Sequence, residues 1–352
     1  MRGRGATFNP EGRFESRARR DFDDGWGTLD EELPPLETTV IAERAKTIIT
    51  TNDSPDVGFE QSINPYRGCE HGCIYCYARP AHAYMNLSPG LDFETKLFYK
   101  ADAARLLEQE LRRPGYVPKA IHIGGNTDGY QPIERNLKVT RSVLEVLQRF
   151  GHPCTLITKS SMIERDLDIL GAMARDRLVS AAVSVTSMDP ELKRTLEPRT
   201  ASPAARLRTI RRLANAGVPV TVMVAPVIPF VTDADLESIL AAAAEAGATS
   251  AGYVFLRLPH EVKELFRAWL AEYHPLKAEH VMSLVQQASG GKDYDSRWGV
   301  RQRGQGEYAG LIAQRFHAAC KRLGLNQGER ARLDHRRFAV PPASGDQMGL
   351  GF

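Results

Sequence analysis

From about Phe59 to residue 257, short β-rich runs alternate with amphipathic helical patterns, and this alternation limits the chain to βα units around a parallel sheet. The strand candidates are 61–66, 119–124, 154–159, 180–186, 219–225 and 251–256. Helical patterns occupy 101–113, 137–150, 163–175, 203–216 and 234–246, most closing near a glycine such as Gly151, Gly217 or Gly247. The alanine run 241–244 falls inside the last of these and reads as a packing face. Six units are too few to close an eight-stranded barrel. The expected fold is therefore α/β, a partial (β/α)6 barrel whose functional loops follow the strand C-termini.

The pattern fades on either side. Residues 1–45 mix Arg2, Arg4, Arg13, Arg17, Arg19 and Arg20 with an acidic stretch from Asp21 to Glu37, and their lack of apolar periodicity predicts a disordered arm. The barrel core is placed at 46–257. Residues 258–352 are expected to form a helical, charged extension that caps the barrel or meets substrate, ending in a Pro/Gly-rich tail from Val340. No apolar run approaches the roughly 20 residues of a membrane span. The polar start MRGRGATFNPEGRF also lacks the apolar segment of a signal peptide, so a cytoplasmic protein with no membrane partner is expected.

Five cysteines, three of them within eight positions, do not form a secreted disulfide framework; reduced thiols that bind metal fit better. The segment NPYRGCEHGCIYCYARP sets Cys69, Cys73 and Cys76 in a C-x3-C-x2-C array, with Gly68 and Gly72 to tighten the loop. Three thiolates leave one iron of a cubane cluster open, whereas structural zinc and electron-transfer clusters normally have four protein ligands. A zinc site completed by His71 or His82 is the competing reading.

Tyr75 before the third cysteine, and the placement of the loop directly after the first expected strand, resemble the radical S-adenosylmethionine (SAM) superfamily, over about residues 59–257. Within it the chain resembles the spore photoproduct lyase and "DNA repair photolyase"-like branch. That likeness rests on GGNTDGYQPIE (124–134), TKS (158–160), SVTSMD (184–189), LEPRTASP (196–203) and VMVAPVIP (222–229), which recur in this order.

The resemblance implies a [4Fe–4S] cluster on the three cysteines and SAM chelated to its open iron, with an external one-electron reductant such as flavodoxin or ferredoxin. Reductive cleavage of SAM would then yield methionine and a 5′-deoxyadenosyl radical that acts on the substrate. Thr127 and Asp128 suit the SAM amino group and Lys159 its carboxylate, Ser184 and Thr186 add hydroxyls, and Glu197 and Arg199 are candidates for the ribose and carboxylate. Tyr75 could place the adenine. The branch carries a hydrogen-donating cysteine just upstream of its Ser/Thr-Asp pair, where this chain has Asn126, so thymine-dimer repair does not carry over. Cys154 and Cys320 read as buried, apolar-like cysteines.

The substrate expectation is a nucleic acid or a nucleotide-bearing target, drawn from the resemblance and from arginines near both ends of the barrel. A net charge of +3 gives it no support. The non-enzymatic alternative is a cluster- or zinc-stabilised nucleic-acid-binding protein that uses Arg297, Arg301, Arg303, Arg330, Arg332, Arg336 and Arg337, with Trp298 stacking a base.

Overall fold

Valine, isoleucine and threonine at alternate positions give the strands one face for the helices and one for the barrel interior. In the stretch Val220–Val227 the valines at 220, 222 and 224 are buried among the helices, while Thr221, Met223 and Ala225 face inward. The computed structural model describes residues 3–14, 37–327 and 332–342.

In chain order the strands are β1 (Thr39–Glu43), β2 (Ile49–Thr51), β3 (Gln61–Ile63), β4 (Tyr66–Arg67), β5 (Lys96–Lys100), β6 (Ile121–Ile123), β7 (Cys154–Thr158), β8 (Val179–Ser184), β9 (Val220–Val227) and β10 (Ser250–Phe255). The helices are α1 (Leu91–Thr95), α2 (Ala103–Leu111), α3 (Glu134–Leu137), α4 (Val139–Arg149), α5 (Leu167–Arg175), α6 (Pro190–Leu196), α7 (Pro203–Asn215), α8 (Leu236–Glu245), α9 (Val262–Tyr273), α10 (Ala278–Ala288) and α11 (Gly306–Arg322).

The main sheet runs β10-β9-β8-β7-β6-β3-β2. Its neighbours are parallel except at the β2 edge, which is antiparallel to β3. The six parallel strands coincide with the six expected from sequence, and α2, α4, α5, α7 and α8 with the five expected helices. The stretch expected as 163–175 opens as a 3-10 turn at Ser161–Asp166, capped by Ser160, and only then becomes α5. Asp189 and Ser202 cap α6 and α7, and the proline that follows each sits at the first turn, where no N–H is needed.

The N-terminal region departs from expectation. Residues 3–14 and 37–45 are ordered, while the rest of the expected arm, 1–2 and 15–36, lies outside the described residues. The Gly5 and Ala6 N–H groups donate to the buried Glu94 carboxylate at 2.9 and 2.8 Å, and β1 pairs in parallel with β5 in a small sheet of order β1-β5-β4. Neither segment has an amphipathic pattern, because each is held by hydrogen bonds to partners distant in sequence. At the other end, α9 and α10 share a core with the cysteine loop, in which Leu258, Phe266 and Trp269 pack with Ile74 and Tyr75. The Phe255 N–H donates to the Gln302 carbonyl at 2.8 Å, so the extension covers the exposed edge of β10. Among the described residues no helix is long and apolar enough to cross a membrane.

Candidate functional site

The cysteine loop follows β4 and turns twice through left-handed backbone, at Gly68 (φ 76°) and Gly72 (φ 66°). Side chains are excluded at both. A Cβ on Gly68 would lie 2.8 Å from the Phe93 carbonyl, and one on Gly72 would lie 2.7 Å from Glu94 Oε2. Arg79, fully buried, clamps the loop from behind. Its guanidinium donates to the carbonyls of Gly72 (3.1 Å), Cys73 (2.9 Å), Pro89 (3.1 Å) and Gly90 (2.9 Å) and pairs with Glu94. Sequence reasoning missed Arg79; its signal is a lone charge among small and apolar residues in YARPAHA.

Cys69, Cys73 and Cys76 open onto one cavity of about 120 Å³, lined also by Asp128, Lys159 and Ser184. Among the described residues no three His, Cys, Asp or Glu side chains are gathered closely enough to share a single metal ion. His71 lines the cavity with its Nδ1 3.2 Å from Asp128 Oδ2. His82 bonds the Lys96 carbonyl through Nε2 at 2.9 Å and meets the Phe93 ring edge-on, and it does not line the cavity. The geometry therefore does not assemble the four-ligand zinc site considered from sequence.

Thr127 and Asp128 line the same cavity, but their polar atoms also fasten the cysteine loop to the barrel. Thr127 Oγ1 donates to the Gly68 carbonyl at 2.8 Å and accepts from Gln131 Nε2 at 3.0 Å. Asp128 accepts from the N–H groups of Tyr130 and Lys159 and from Thr158 Oγ1, each at 2.8 Å, besides facing His71. Burial acts to raise the Asp128 carboxyl, but the adjacent His71 and these hydrogen bonds outweigh it and hold the group at about 2.

Lys159 and Ser184 face both this cavity and a second of about 300 Å³. The Lys159 ammonium lies 5.9 Å from the Tyr75 ring centroid and has no hydrogen bond or ion pair among the described residues. Tyr75 lines only the second cavity. Its hydroxyl bonds Glu197, which also accepts from Thr186 Oγ1 at 2.7 Å and pairs with the buried Arg206. Burial pushes the Glu197 carboxyl up, yet Arg206 first and Lys159 second draw it down to about 2.

Three expected cofactor contacts thus have other occupations. Thr186 and Glu197 form a buried network beneath Tyr75 and line neither cavity, and Arg199 turns to Glu70, 3.2 Å away, and lines neither. Arg206, the partner of Glu197, was not foreseen. The late arginines are also largely engaged: Arg297 with Asp295, Arg301 with Asp56, Arg336 with Asp334 and Arg337 with Asp176, while Arg303 lies over Tyr253. Arg330 falls outside the described residues, and Trp298 is exposed.

A family model described as the Radical SAM superfamily matches residues 63–243. The chain belongs to the radical SAM superfamily. It is 40% identical over 219 residues to an uncharacterized protein of Mycobacterium tuberculosis, an alignment covering 62% of this chain and 64% of that protein. The chain thus spans less than two thirds of the length of that relative. An uncharacterized protein of Methanocaldococcus jannaschii is 24% identical over 196 residues, covering 56% of this chain and 70% of that protein. Among solved structures, spore photoproduct lyase complexed with dinucleoside spore photoproduct superposes with a TM-score of 0.57 at 16% identity, covering 81% of this chain and 80% of that one. A further form of that lyase, with bound AdoMet, has the same score, identity and coverage. These likenesses establish the shared α/β fold.

Radical SAM membership implies a [4Fe–4S] cluster and SAM, and the donor set fits them. Burial, reinforced by Asp128 at Cys69 and by Glu197 at Cys73, pushes both thiols well up, so thiolates persist there only against added positive charge, which irons supply. Three thiols that share a cavity without converging on one point suit a cubane, in which each binds a different iron.

Proposed function

We propose that Cys69, Cys73 and Cys76 hold a [4Fe–4S] cluster with one iron open to SAM, and that the protein is an enzyme that cleaves SAM reductively to act on a separate substrate. The observation that carries this reading is the set of three thiols around one cavity, not gathered for a single ion among the described residues, beside the Lys159 ammonium, which makes no hydrogen bond or ion pair among the described residues. Bound there, cluster and SAM would supply reductive cleavage of the SAM carbon–sulfur bond, giving methionine and a 5′-deoxyadenosyl radical.

The chain's own residues hold and orient. Arg79 and the two glycines set the loop conformation, Thr127 and Asp128 lock it to β6 and β7, and Lys159 offers a cation to the SAM carboxylate. The Ser184 hydroxyl is available from the strand end, and the Tyr75 ring, pinned through its hydroxyl by Glu197, gives a rigid face for the adenosyl group. An external one-electron reductant such as flavodoxin or ferredoxin completes the scheme. A nucleic-acid or nucleotide-bearing substrate is supported by the fold shared with spore photoproduct lyase, a structure of which holds a dinucleoside spore photoproduct. The test is anaerobic reconstitution with iron and sulfide, reduction in the presence of SAM, and assay of 5′-deoxyadenosine. Stoichiometric zinc and no iron in anaerobically purified protein would overturn the reading.

A further inference from the structure

The 300 Å³ cavity has two ends of different chemistry. One is the Lys159 and Ser184 end that adjoins the cysteines. At the other, Phe59 stacks on His122 with ring centroids 4.2 Å apart and planes 11° from parallel. His122 lies on β6 with Nδ1 2.9 Å from Thr155 Oγ1, and its Nε2 has no partner among the described residues. Burial draws the imidazole down to about 4, so near neutral pH the ring is uncharged and can be covered without desolvating a cation. Phe59 and His122 thus form a neutral stacked aromatic pair in the cavity lining.

Arg257, two residues beyond β10, lines the same cavity. Its guanidinium lies 4.0 Å from the Tyr77 ring centroid, and the Tyr77 hydroxyl is itself tied to the Gly125 carbonyl. Arg257 makes no hydrogen bond or ion pair among the described residues, in contrast to nearby Arg301, which binds Asp56 and Ser54. Stacking on a fixed ring pre-orients the planar cation and leaves its N–H fork free for an incoming anion. The Gln302 side chain, also in the lining and without a hydrogen-bond partner among the described residues, adds an amide that can read a polar ring edge.

We propose that this end of the cavity is the substrate-recognition site, and that it takes a planar aromatic ring bearing an anionic group, with the ring against Phe59 and the anion on Arg257. The proposal rests on the SAM-cleavage reading only for what happens to the bound molecule. Two sources carry this chemistry, a nucleotide through its base and phosphate and a free aromatic carboxylate.

The experiment titrates cluster-loaded, full-length protein anaerobically with thymidine 5′-monophosphate, thymidine, indole-3-acetate and indole, read by calorimetry. At least one anionic probe binds, and its neutral counterpart binds about tenfold more weakly or less well still. Arg257→Gln lowers affinity for that anion by about tenfold or more while holding the neutral counterpart within about twofold, which also shows that the variant is folded. Arg257→Lys recovers part of the loss, and Phe59→Ala weakens charged and neutral probes alike. Thymidylate binding marks a nucleotide as the source, and indole-3-acetate binding marks a free aromatic acid. If neither anion binds the wild type, or if Arg257→Gln binds the anion as the wild type does, the assignment is overturned. Release of 5′-deoxyadenosine by the wild type is followed in the same preparation. Its absence would remove the SAM-cleavage reading and leave the binding data to decide the pocket independently.

Discussion

Arg79 and Glu94 form an ion pair with no exposed side-chain surface on either partner, directly behind the loop that carries the three cysteines. Arg79 holds loop carbonyls and Glu94 holds the N–H groups of Gly5 and Ala6, so the pair joins the cysteine loop to the N-terminal segment. Removing one partner leaves an uncompensated buried charge, which typically costs about 3–5 kcal/mol. Arg79→Ala is therefore expected to lower the denaturant midpoint sharply and to reduce iron retained after anaerobic desalting. An Arg79→Ala protein with wild-type stability and full iron content would contradict the clamp.

The five cysteines should separate into two groups. Cys69→Ala, Cys73→Ala and Cys76→Ala are each expected to abolish the brown chromophore and 5′-deoxyadenosine release, because each thiolate binds a different iron. Cys154 lies buried in β7 and Cys320 in α11, away from the cavity. Their alanine variants keep the cluster, with stability losses in the ordinary range of about 0.5–3 kcal/mol. Iron and sulfide analysis of the five variants decides this.

Lys159 and Asp128 should differ in kind. Lys159→Ala loses an ammonium that makes no hydrogen bond or ion pair among the described residues, so the cluster remains and SAM binds about tenfold more weakly, the equivalent of a charge-assisted hydrogen bond of about 1.5–3 kcal/mol. Asp128→Ala releases the bonds to Tyr130, Thr158 and Lys159, so it should lower stability as well as SAM affinity. Calorimetric SAM titration and denaturant unfolding of both variants read the two effects separately. Unaltered SAM affinity in Lys159→Ala would remove that residue from the site.

Acid sensitivity follows from the two depressed carboxylates. Asp128 and Glu197 sit at about 2 in the folded protein, against ordinary values near 4 in an unfolded chain. A depressed carboxylate contributes stability that is full above its unfolded pKa and is lost as pH falls through its folded one. The metal-free protein should therefore lose stability between about pH 5 and pH 2, and Glu197→Gln should show a smaller loss across that window. Urea midpoints at pH 7 and pH 3 test this; an equal drop in both proteins would exclude Glu197 as a source.

Asp56, in the loop after β2, accepts from the Gly299 N–H at 2.7 Å and pairs with Arg301, bridging the two open ends of the barrel sheet. Arg301→Ala is expected to speed amide hydrogen exchange across 52–60, the segment that positions Phe59, while the interior strands β7 and β8 keep their protection. Exchange in 52–60 that matches the wild type would show that the loop is held by other contacts.

The barrel strands and the gathering of three cysteines in one loop were readable from the chain alone, for a physical reason. Strand and helix periodicities are local, so six β runs and their intervening helices could be placed almost to their ends, and the C-x3-C-x2-C spacing and its glycines record a loop closed within eight positions. What tertiary structure decided is which polar groups already have partners. Glu197 looks free in sequence, yet Tyr75, 122 positions away, and Arg206 use its oxygens, and Arg199 is taken by Glu70. Arg301 meets Asp56 across 245 positions, and residues 3–14 gain order through a carboxylate some 89 positions distant. Pairings at such separations depend on how the elements pack and leave no periodic trace. For the same reason Lys159 and Arg257, which line the cavities without a hydrogen bond or ion pair among the described residues, could be distinguished from their neighbours only after folding had brought the competing carboxylates into place.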